Sequence, residues 1–400
     1  MELFDNWISS GGSDFESFKR EVKEVDSLTG IVNIKCAANL TLLSLKRRLG
    51  ENGYTFSVLN SDTIEAFNSG VINASDLPET DAELDSPLFD EMAKTSGLLV
   101  IDDNFKYIIS KDAIFSLGER ANVSGDRLRN RSLIRDLYIA EGLFPADEKI
   151  KMQMVYRKQL IRKGGKTYSM RKVFACMGNK FIYEPLQSLV DVVEKLLNEG
   201  HHKFGTPVVR SWSIDHKFCT IQIEFPEFDA KLPDNIIPGL CFITSDTGHS
   251  SFRVLSSFRF DGSEEVFWDE QTWTHASAFS SILSDVEDYI YNIFPAEFPS
   301  VIAGLKKKTK LKAKRDAYQF YSTELRLTWA VGKFRAKNLV ETFKLDDVKK
   351  VSEYEIVKQF LTSQKYLESD TPKNARYRLA KGLGKAPFVE RKEQKTKWEG

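Results

Sequence analysis

Two acidic residues separated by one position follow a Gly-Ser pair near the start of the chain. The pair ends at Ser13, and the acidic residues are Glu24 and Asp26. A Gly-Ser turn can hold a phosphate group, and alternate carboxylates supply the oxygen ligands that Mg²⁺ prefers when it bridges phosphates. The spacing therefore permits metal-dependent nucleotidyl transfer. The competing interpretation is a helix over residues 14–24 that Ser13 caps, which would leave the two carboxylates at the helix end.

The five histidines do not have the spacing of metal ligands. His249 lies close to Asp246 and Ser250, and this is the one polar grouping that could support hydrolysis. A hydrogen-bonded turn explains the same residues. No complete glycine-rich phosphate-binding motif is present. The sequence therefore predicts no metal and no cofactor, and it favours a protein that is not an enzyme, with Ser13, Glu24 and Asp26 as the weak catalytic candidates.

A dense run of cations begins the C-terminal quarter of the chain. Its members are Lys306, Lys307, Lys308, Lys310, Lys312, Lys314 and Arg315. Such a run can neutralise several phosphates, and the aromatic residues that follow it could stack on bases. Those aromatic residues are Tyr318, Phe320, Tyr321, Trp329 and Phe334. The pattern predicts contact with a nucleic-acid backbone or a single strand, whereas the helical spacing of Tyr318, Tyr321 and Leu325 fits a solvated helix start with a core behind it.

A second basic zone surrounds the turn at Gly164 and Gly165. Its predicted nucleic-acid contacts are Arg162, Lys163 and Lys166, and the flanking strands add further cations. The flanking cations are Arg157, Arg171 and Lys172. This zone could extend the groove formed by the first one, although the sequence alone does not place the two zones together.

The formal net charge of zero conceals a strong asymmetry along the chain. Residues 51–103 hold 12 acidic residues and one basic residue, and residues 301–400 hold 25 basic and 12 acidic residues. This polarity suggests a polyanionic partner at the basic end, or two ends that face each other. No apolar segment approaches the roughly 20 residues that span a bilayer. The four scattered cysteines favour buried thiols in a reducing cytoplasm.

The stretch 205–261 predicts successive strands of one antiparallel sheet. Residues Phe218–Phe225 alternate between apolar and polar side chains, which is typical of a half-buried hairpin. Helical patterns flank this stretch on both sides, so the fold class is α+β, with a central antiparallel sheet, flanking helices and a helical C-terminal third. We predict an N-terminal α+β region (1–103), a central sheet domain (104–300), a basic helical region (301–371) and a disordered basic tail (372–400).

Three further segments carry specific structural expectations. Leu40–Leu49 is predicted to form a helix, because its basic end suits a helix C-terminus and Gly50 can terminate it. The acidic segment Ser61–Thr95 is predicted to be a mobile surface excursion. Ser110–Ala140 resembles two short helices around a break, which would place Arg127, Arg129 and Arg131 near a DNA major groove if the unit binds DNA.

Several segments resemble the phage/plasmid-like protein family that carries the domain of unknown function 932. They are Tyr107–Leu128, Arg171–Leu197 and Val208–Leu255. Within the last segment, the run from Thr244 to Gly248 matches the family's asparagine-serine-glutamate-threonine-glycine stretch, with Thr in place of Asn and Asp in place of Glu. The resemblance covers roughly residues 100–260 and implies a phage or mobile-element origin and a mixed sheet-and-helix domain. It implies no activity.

These observations predict a phage-encoded, non-enzymatic protein that binds nucleic acid during replication, recombination or takeover of the host. The alternative is a protein-interaction role, such as an inhibitor of a bacterial defence complex or an assembly component, in which the acidic segment would mimic nucleic acid. Nucleotidyl transfer is the second alternative. A host or phage protein partner and a homo-oligomer are both compatible with the sequence, and a membrane is not predicted as a partner.

Overall fold

Two β-sheets and the helices that cover them form an α+β structure. The computed structural model describes residues 9–47, 53–81, 86–103, 105–144, 150–199, 204–228, 236–259, 265–275, 278–305, 308–311 and 349–352. The helices that bear on the argument are α1 (Phe15–Leu28), α2 (Ser61–Asn68), α3 (Pro87–Lys94), α4 (Ala113–Arg120), α5 (Gly125–Leu128), α6 (Leu133–Leu143), α7 (Gln187–Glu199), α8 (Phe279–Asp288) and α9 (Phe294–Leu305). A π-helical turn over Tyr289–Ile293 joins α8 to α9.

The first sheet has six antiparallel strands in the order β1-β10-β11-β12-β13-β14. The strands are β1 (Ser9–Gly12), β10 (Val208–Asp215), β11 (Cys219–Glu224), β12 (Ile237–Thr244), β13 (Phe252–Arg259) and β14 (Glu265–Trp273). The strands predicted in the stretch 205–261 are confirmed. They could be predicted because alternation and turn residues mark them locally. Cys219, Ile221 and Ile223 face the core as predicted, but Gln222 and Glu224 on the other face of β11 are also buried.

The second sheet has eight strands in the order β2-β8-β9-β7-β6-β3-β4-β5. The strands are β2 (Thr29–Ile34), β3 (Thr41–Arg47), β4 (Tyr54–Leu59), β5 (Glu79–Asp81), β6 (Leu98–Asp102), β7 (Phe105–Ile109), β8 (Met152–Lys163) and β9 (Lys166–Gly178). All neighbouring strands are antiparallel except β7 and β9, which are parallel. The sheet combines strands from residues 1–103 with strands from residues 104–300, so these two regions share one sheet.

Three groups of buried apolar side chains hold these layers together. The first joins the six-stranded sheet to α1, α7, α8 and α9. The second lies between one face of the eight-stranded sheet and helices α4 and α6. The third lies on the opposite face, beneath α3. Both faces of the central strands of the larger sheet, including β3, are therefore covered.

The predicted helix at Leu40–Leu49 is wrong, because residues 41–47 form strand β3. Leu42, Leu43, Ser44 and Leu45 are all buried. A strand that is buried on both faces carries an apolar run without alternation, so the period-two signal is missing. Pairing with β4 and β6 supplies the hydrogen bonds that fix the extended conformation.

The described residues of the acidic segment Ser61–Thr95 belong to the packed fold, in contrast to the predicted excursion outside the core. It contributes α2, β5 and α3 to the structure, and Ile64, Glu91 and Met92 are buried. Its acidic residues also serve internal ion pairs, since Glu79 contacts Lys46 and Asp90 contacts Lys163. Pro87 at the first turn of α3 starts a helix, because its fixed φ suits that position and the missing N–H is not needed there.

The described part of the chain after α9 differs from the helical expectation. Strands β15 (Lys308–Leu311) and β16 (Lys349–Ser352) form a two-stranded antiparallel sheet. The helical patterns that the sequence shows within the region 301–371 cover residues 316–328, 336–343 and 346–367. Strand β16 lies inside the last of these, so that predicted helix is wrong for these four residues. The other helices predicted beyond residue 315, at 316–328 and 336–343, and the tail 372–400 lie outside the described residues.

Candidate functional site

The β8–β9 hairpin extends beyond the strands that flank it. β2 pairs with residues 152–157 of β8, and β7 pairs with residues 171–173 of β9. Residues 159–163 and 166–170 pair only with each other among the described strands. Gly164 and Gly165 close the tip with φ values of 58° and 76°, a conformation that glycine adopts without strain. The hairpin therefore forms a two-stranded ribbon with a basic tip.

Alternation along the ribbon separates the predicted contacts onto two faces. Lys158 lies opposite Arg171, and Arg162 lies opposite Thr167. These residues share one face, because directly opposed residues of antiparallel strands point to the same side. Lys163 and Lys166 lie opposite each other on the other side, next to the third apolar group. Arg162 and Lys163 are neighbours in sequence, but their side chains lie on opposite faces of the ribbon.

The first of these faces is open to solvent over the ribbon. We call it the open face, and it consists of Phe105, Lys158, Leu160, Arg162 and Arg171. Leu160 is 70% exposed and Phe105 is 49% exposed. Lys158 and Arg162 are also exposed and form no ion pair with any described residue. The open face thus combines exposed apolar surface with cations that form no ion pair among the described residues, and Asp102, opposite Phe105, adds a carboxylate beside it.

Aromatic rings hold the Arg171 side chain on the open face. Its guanidinium carbon lies 4.1 Å from the ring centroid of Phe105. The centroids of Tyr107 and Tyr156 lie 5.8 Å and 5.9 Å away, and these two rings contact each other edge-on. Cation–π attraction favours this position, and Arg171 forms no ion pair with a carboxylate among the described residues. Sequence reasoning missed Lys158 and Phe105, although the strand alternation that aligns Lys158 with Arg162 is visible in the sequence.

The other cations of the second basic zone serve internal ion pairs. Lys172 is buried, and its Nζ lies 2.7 Å from Glu91 Oε1 on α3. Lys163 Nζ lies 3.0 Å from Asp90 Oδ2 on the same helix, with both side chains partly exposed. Arg157 is fully buried. These three positions therefore differ from Arg162 and Lys166, which are exposed and unpaired among the described residues.

Arg157 forms the centre of a polar cluster between the two sheets. Its Nη2 donates to both carboxylate oxygens of Asp246 at 2.8 Å, and its Nη1 donates to the carbonyl oxygen of His216 at 3.3 Å. Thr247 Oγ1 donates to the same carbonyl at 3.0 Å. The Arg157 guanidinium also lies 5.1 Å from the Phe174 ring centroid. The cluster connects β8 of the larger sheet to two turns of the smaller sheet.

A second set of charges adjoins this cluster at the start of α4. The Nε2 of His216 lies 2.8 Å from Asp112 Oδ2, and Lys217 Nζ lies 2.6 Å from Asp112 Oδ1. Burial alone would raise the pKa of Asp112, but the hydrogen bonds from His216 and Lys217 outweigh it and lower the pKa to about 2. Asp112 is therefore ionised at neutral pH and attaches the β10–β11 turn to the larger sheet.

The Asp246–Ser250 turn is a hydrogen-bonded structure without the contacts of a hydrolytic triad. Asp246 is occupied by Arg157, and the backbone N–H of His249 donates to Ser245 Oγ at 3.0 Å. Ser250 Oγ donates to the Ser251 carbonyl and accepts from Arg253 Nε. Burial lowers the pKa of His249. The polar residues of this turn are thus explained by a structural role, in which Asp246 binds Arg157 of the larger sheet and Thr247 donates to the His216 carbonyl.

The structure does not bring Ser13, Glu24 and Asp26 together as a phosphate and metal site. Ser13 is exposed, and the cap of α1 is Asp14, whose Oδ1 accepts from the Ser17 N–H at 2.8 Å. Glu24 and Asp26 both lie within α1, where residues two apart point in different directions. Among the described residues, no group of three or more His, Cys, Asp or Glu side chains is arranged to hold a metal ion.

Asp26 instead caps the beginning of α7. Its Oδ1 accepts from the Leu186 N–H at 3.1 Å and its Oδ2 accepts from the Gln187 N–H at 2.9 Å. Burial raises the pKa of Asp26 from 3.8 to about 6, although these two hydrogen bonds oppose the change. A carboxyl with a higher pKa in the folded state binds its proton more tightly when folded. Its stabilising contribution is therefore complete below about pH 4 and is lost as the pH rises through about 6.

We expect the substitution Asp26→Asn to reveal this pH dependence. A pKa shift of one unit is equivalent to about 1.4 kcal/mol, and partial exposure reduces the effect, so the free energy of unfolding of the native protein should fall by about 1–2 kcal/mol relative to the variant between about pH 4 and pH 6. Urea denaturation at a series of pH values measures the difference. Glu24→Gln, on the same helix and exposed, is the matched control. A native protein whose stability relative to the variant stays constant or rises between pH 4 and pH 6 would contradict the expectation.

Most of the first basic run lies outside the described residues. This holds for Lys306, Lys307, Lys312, Lys314 and Arg315. Lys308 and Lys310 belong to β15, in which Lys310 lies opposite Lys350 of β16. This register joins the basic run to a second lysine-containing segment about 40 residues later, a pairing that no local sequence pattern predicts. The aromatic residues that follow the run also lie outside the described residues.

The predicted pair of helices in Ser110–Ala140 is present as α4, α5 and α6, with α5 only four residues long. Its arginines have partners within the protein. Arg127 lies over the Tyr138 ring, and Arg129 Nε lies 3.5 Å from Asp126. Arg131 donates to the carbonyl oxygens of Ala93 and Leu45. The arrangement therefore gives less support to DNA binding by this unit than the open face does.

No protein-family model, curated protein or solved structure shows significant similarity to this chain. The resemblance to the phage/plasmid-like family accordingly stays a prediction. None of the described helices has both the length and the apolar character that a membrane crossing requires. The site must therefore be interpreted from its own geometry and charge.

Proposed function

We propose that this protein is a non-enzymatic nucleic-acid-binding protein that contacts the sugar-phosphate backbone through the open face and the tip of the β8–β9 ribbon. The observation that supports this function best is a set of three exposed cations, Lys158, Arg162 and Lys166, without an ion-pair partner among the described residues. Arg171 adds a fourth cation, held by aromatic rings. An accessory role for a phage, in replication, recombination or host takeover, agrees with the resemblance and is part of the proposal.

Electrostatics gives the physical basis of the proposed binding. Each phosphate that a Lys or Arg side chain neutralises releases condensed counterions, so affinity falls steeply as salt is added. Cations that already belong to buried ion pairs cannot contribute, because moving Lys172 or Arg157 to a phosphate would leave a buried carboxylate without its partner. The exposed and unpaired cations of the ribbon do not carry this cost.

We expect the triple variant Lys158→Ala, Arg162→Ala, Lys166→Ala to bind nucleic acid more weakly and with a shallower salt dependence. Loss of three phosphate contacts should reduce the slope of log affinity against log salt concentration by about 2 for single strands and about 3 for duplex DNA. Fluorescence anisotropy with labelled single- and double-stranded DNA and with RNA, over a salt series, measures both quantities.

Two controls make this measurement specific. Arg20 and Lys23 on α1 and Lys35 directly after β2 are exposed cations, and their triple alanine variant removes the same charge from elsewhere on the protein. A variant with Lys306, Lys307, Lys308 and Lys310 changed to Ala, and a chain truncated after Thr371, separate the contribution of the C-terminal basic run. The proposal fails if the native protein binds no nucleic acid at low salt, or if the two triple variants lose equal affinity.

A further inference from the structure

Phe105 is exposed although a neighbouring aromatic residue of the same strand is buried. The residue begins β7, and Tyr107, two residues later on the same face, is almost fully buried. Phe105 remains 49% exposed even though the Arg171 guanidinium lies 4.1 Å from its ring centroid. The ring thus has a planar cation against it and still presents nearly half of its surface to solvent.

The cations of the open face lie on β9 and β8, beside this aromatic position on β7. Arg171 lies opposite both Tyr107 and Lys158, and Leu160 and Arg162 follow along β8. At about 3.3 Å per residue, Lys158 and Arg162 are roughly 13 Å apart along the strand, with exposed Leu160 between them. Asp102, opposite Phe105, supplies negative charge at the other end of this row. A bound polyanion would therefore extend from Phe105 toward Arg162.

We propose that the open face binds single-stranded nucleic acid, with a base stacked on the exposed surface of Phe105 and the phosphates beside Lys158 and Arg162. This inference rests on the proposed function and adds the class of nucleic acid. Single-strand-binding surfaces combine a basic track with aromatic rings that stack on bases. In a duplex the base faces are already stacked on each other, so an exposed Phe and an exposed Leu would gain nothing from the phosphate backbone.

A two-stranded ribbon could also enter the major groove of duplex DNA, which is wide enough to admit one. Such a ribbon reads base edges with hydrogen-bonding side chains. The centre of the open face carries Leu160 instead, and its aromatic end lies at the base of the ribbon rather than at the tip. These features favour the single strand, and duplex binding is an outcome of the experiment below.

The full-length protein with Phe105→Ala tests the inference. We expect its affinity for a labelled oligothymidine of roughly 20 nucleotides to fall about 10-fold, which corresponds to roughly one stacked base. Its affinity for an abasic oligonucleotide of the same length should not change, because that ligand keeps the phosphates and lacks the bases. Phe105→Trp should keep the affinity of the native protein and add tryptophan fluorescence that the oligothymidine quenches and the abasic ligand does not.

Phe115→Ala removes an exposed phenylalanine from α4 and is the matched control, with thermal melts to show that each variant is folded. The inference is overturned if the native protein prefers a duplex of the same length, or if Phe105→Ala binds oligothymidine as the native protein does. In either case the proposed function still stands, provided that the triple cation variant loses affinity. If no nucleic acid binds to the native protein, both proposals fall.

Discussion

The substitution Asp246→Ala is expected to destabilise the protein by about 3–5 kcal/mol, because it leaves the fully buried Arg157 guanidinium without its counter-charge. Removing one member of a buried ion pair costs more than the pair contributes, since the remaining charge has lost water and gains nothing in return. Arg157 would keep the carbonyl of His216 and the Phe174 ring as neighbours, and neither carries a negative charge. Chemical denaturation followed by circular dichroism measures the loss.

The comparison variants decide whether charge or packing is responsible. Asp246→Asn keeps the shape and one hydrogen-bond acceptor, so its loss should be smaller than that of Asp246→Ala. The double variant Arg157→Met, Asp246→Leu replaces the pair with apolar groups and should recover much of the lost stability, as apolar replacements of buried ion pairs often do. Equal destabilisation by Asp246→Asn and Asp246→Ala would show that loss of the charge accounts for the whole effect, whereas native-like stability of Asp246→Asn would show that the charge is not what matters.

This pair has a consequence for the architecture, because it connects the two sheets. Arg157 comes from β8 of the larger sheet, and Asp246 and the His216 carbonyl come from turns of the smaller one. The sheets also share the His216–Asp112 and Lys217–Asp112 contacts. Apolar contacts tolerate small sliding, whereas a charged group with defined acceptors specifies one arrangement. We therefore interpret the polar cluster as the element that fixes the relative position of the sheets.

The sequence predicted the smaller sheet well because that information is local. Alternation in β11 and turn residues at Asp215 and His216 define a hairpin without reference to the rest of the chain, and Asp215 Oδ1 indeed accepts from two backbone N–H groups of that turn. β3 lacked such a signal. It is buried on both faces, and its basic end resembled a helix C-terminus, so a correct assignment required knowledge of the neighbouring strands.

The candidate site was predicted only in part, for a related reason. The sequence placed cations around the Gly164–Gly165 turn, but it could not separate Arg162 from Arg157, whose partner Asp246 is distant in the chain. It also could not show that Lys172 is neutralised by Glu91. Which cation is available to a ligand depends on long-range ion pairs, and these follow from the fold rather than from residue spacing.

Glu91 and Asp90 are adjacent on α3, and we expect their substitutions to change the stability of the protein by different amounts because only Glu91 is buried. Glu91→Ala should cost about 3–5 kcal/mol, because both side chains of the Glu91–Lys172 pair are almost completely buried. Asp90→Ala should cost no more than about 1 kcal/mol, because Asp90 and Lys163 are each 42% exposed and water screens their interaction. Denaturant titration of the two variants side by side measures the contrast, and similar losses for both would contradict it.

The same two variants connect stability to binding. Asp90→Ala takes a negative charge away from Lys163, which directly precedes the turn at the ribbon tip. The variant should therefore bind nucleic acid more tightly than the native protein at low salt. This gain in affinity should vanish at high salt, because salt screens the interaction. Glu91→Gln keeps the hydrogen-bonding shape beside Lys172 and should leave binding unchanged, because that lysine is buried beneath α3 and out of reach of a ligand. Anisotropy measurements at two salt concentrations separate the two positions. If Asp90→Ala binds no more tightly than the native protein, the ribbon tip does not contact phosphate, and the footprint would be limited to the open face.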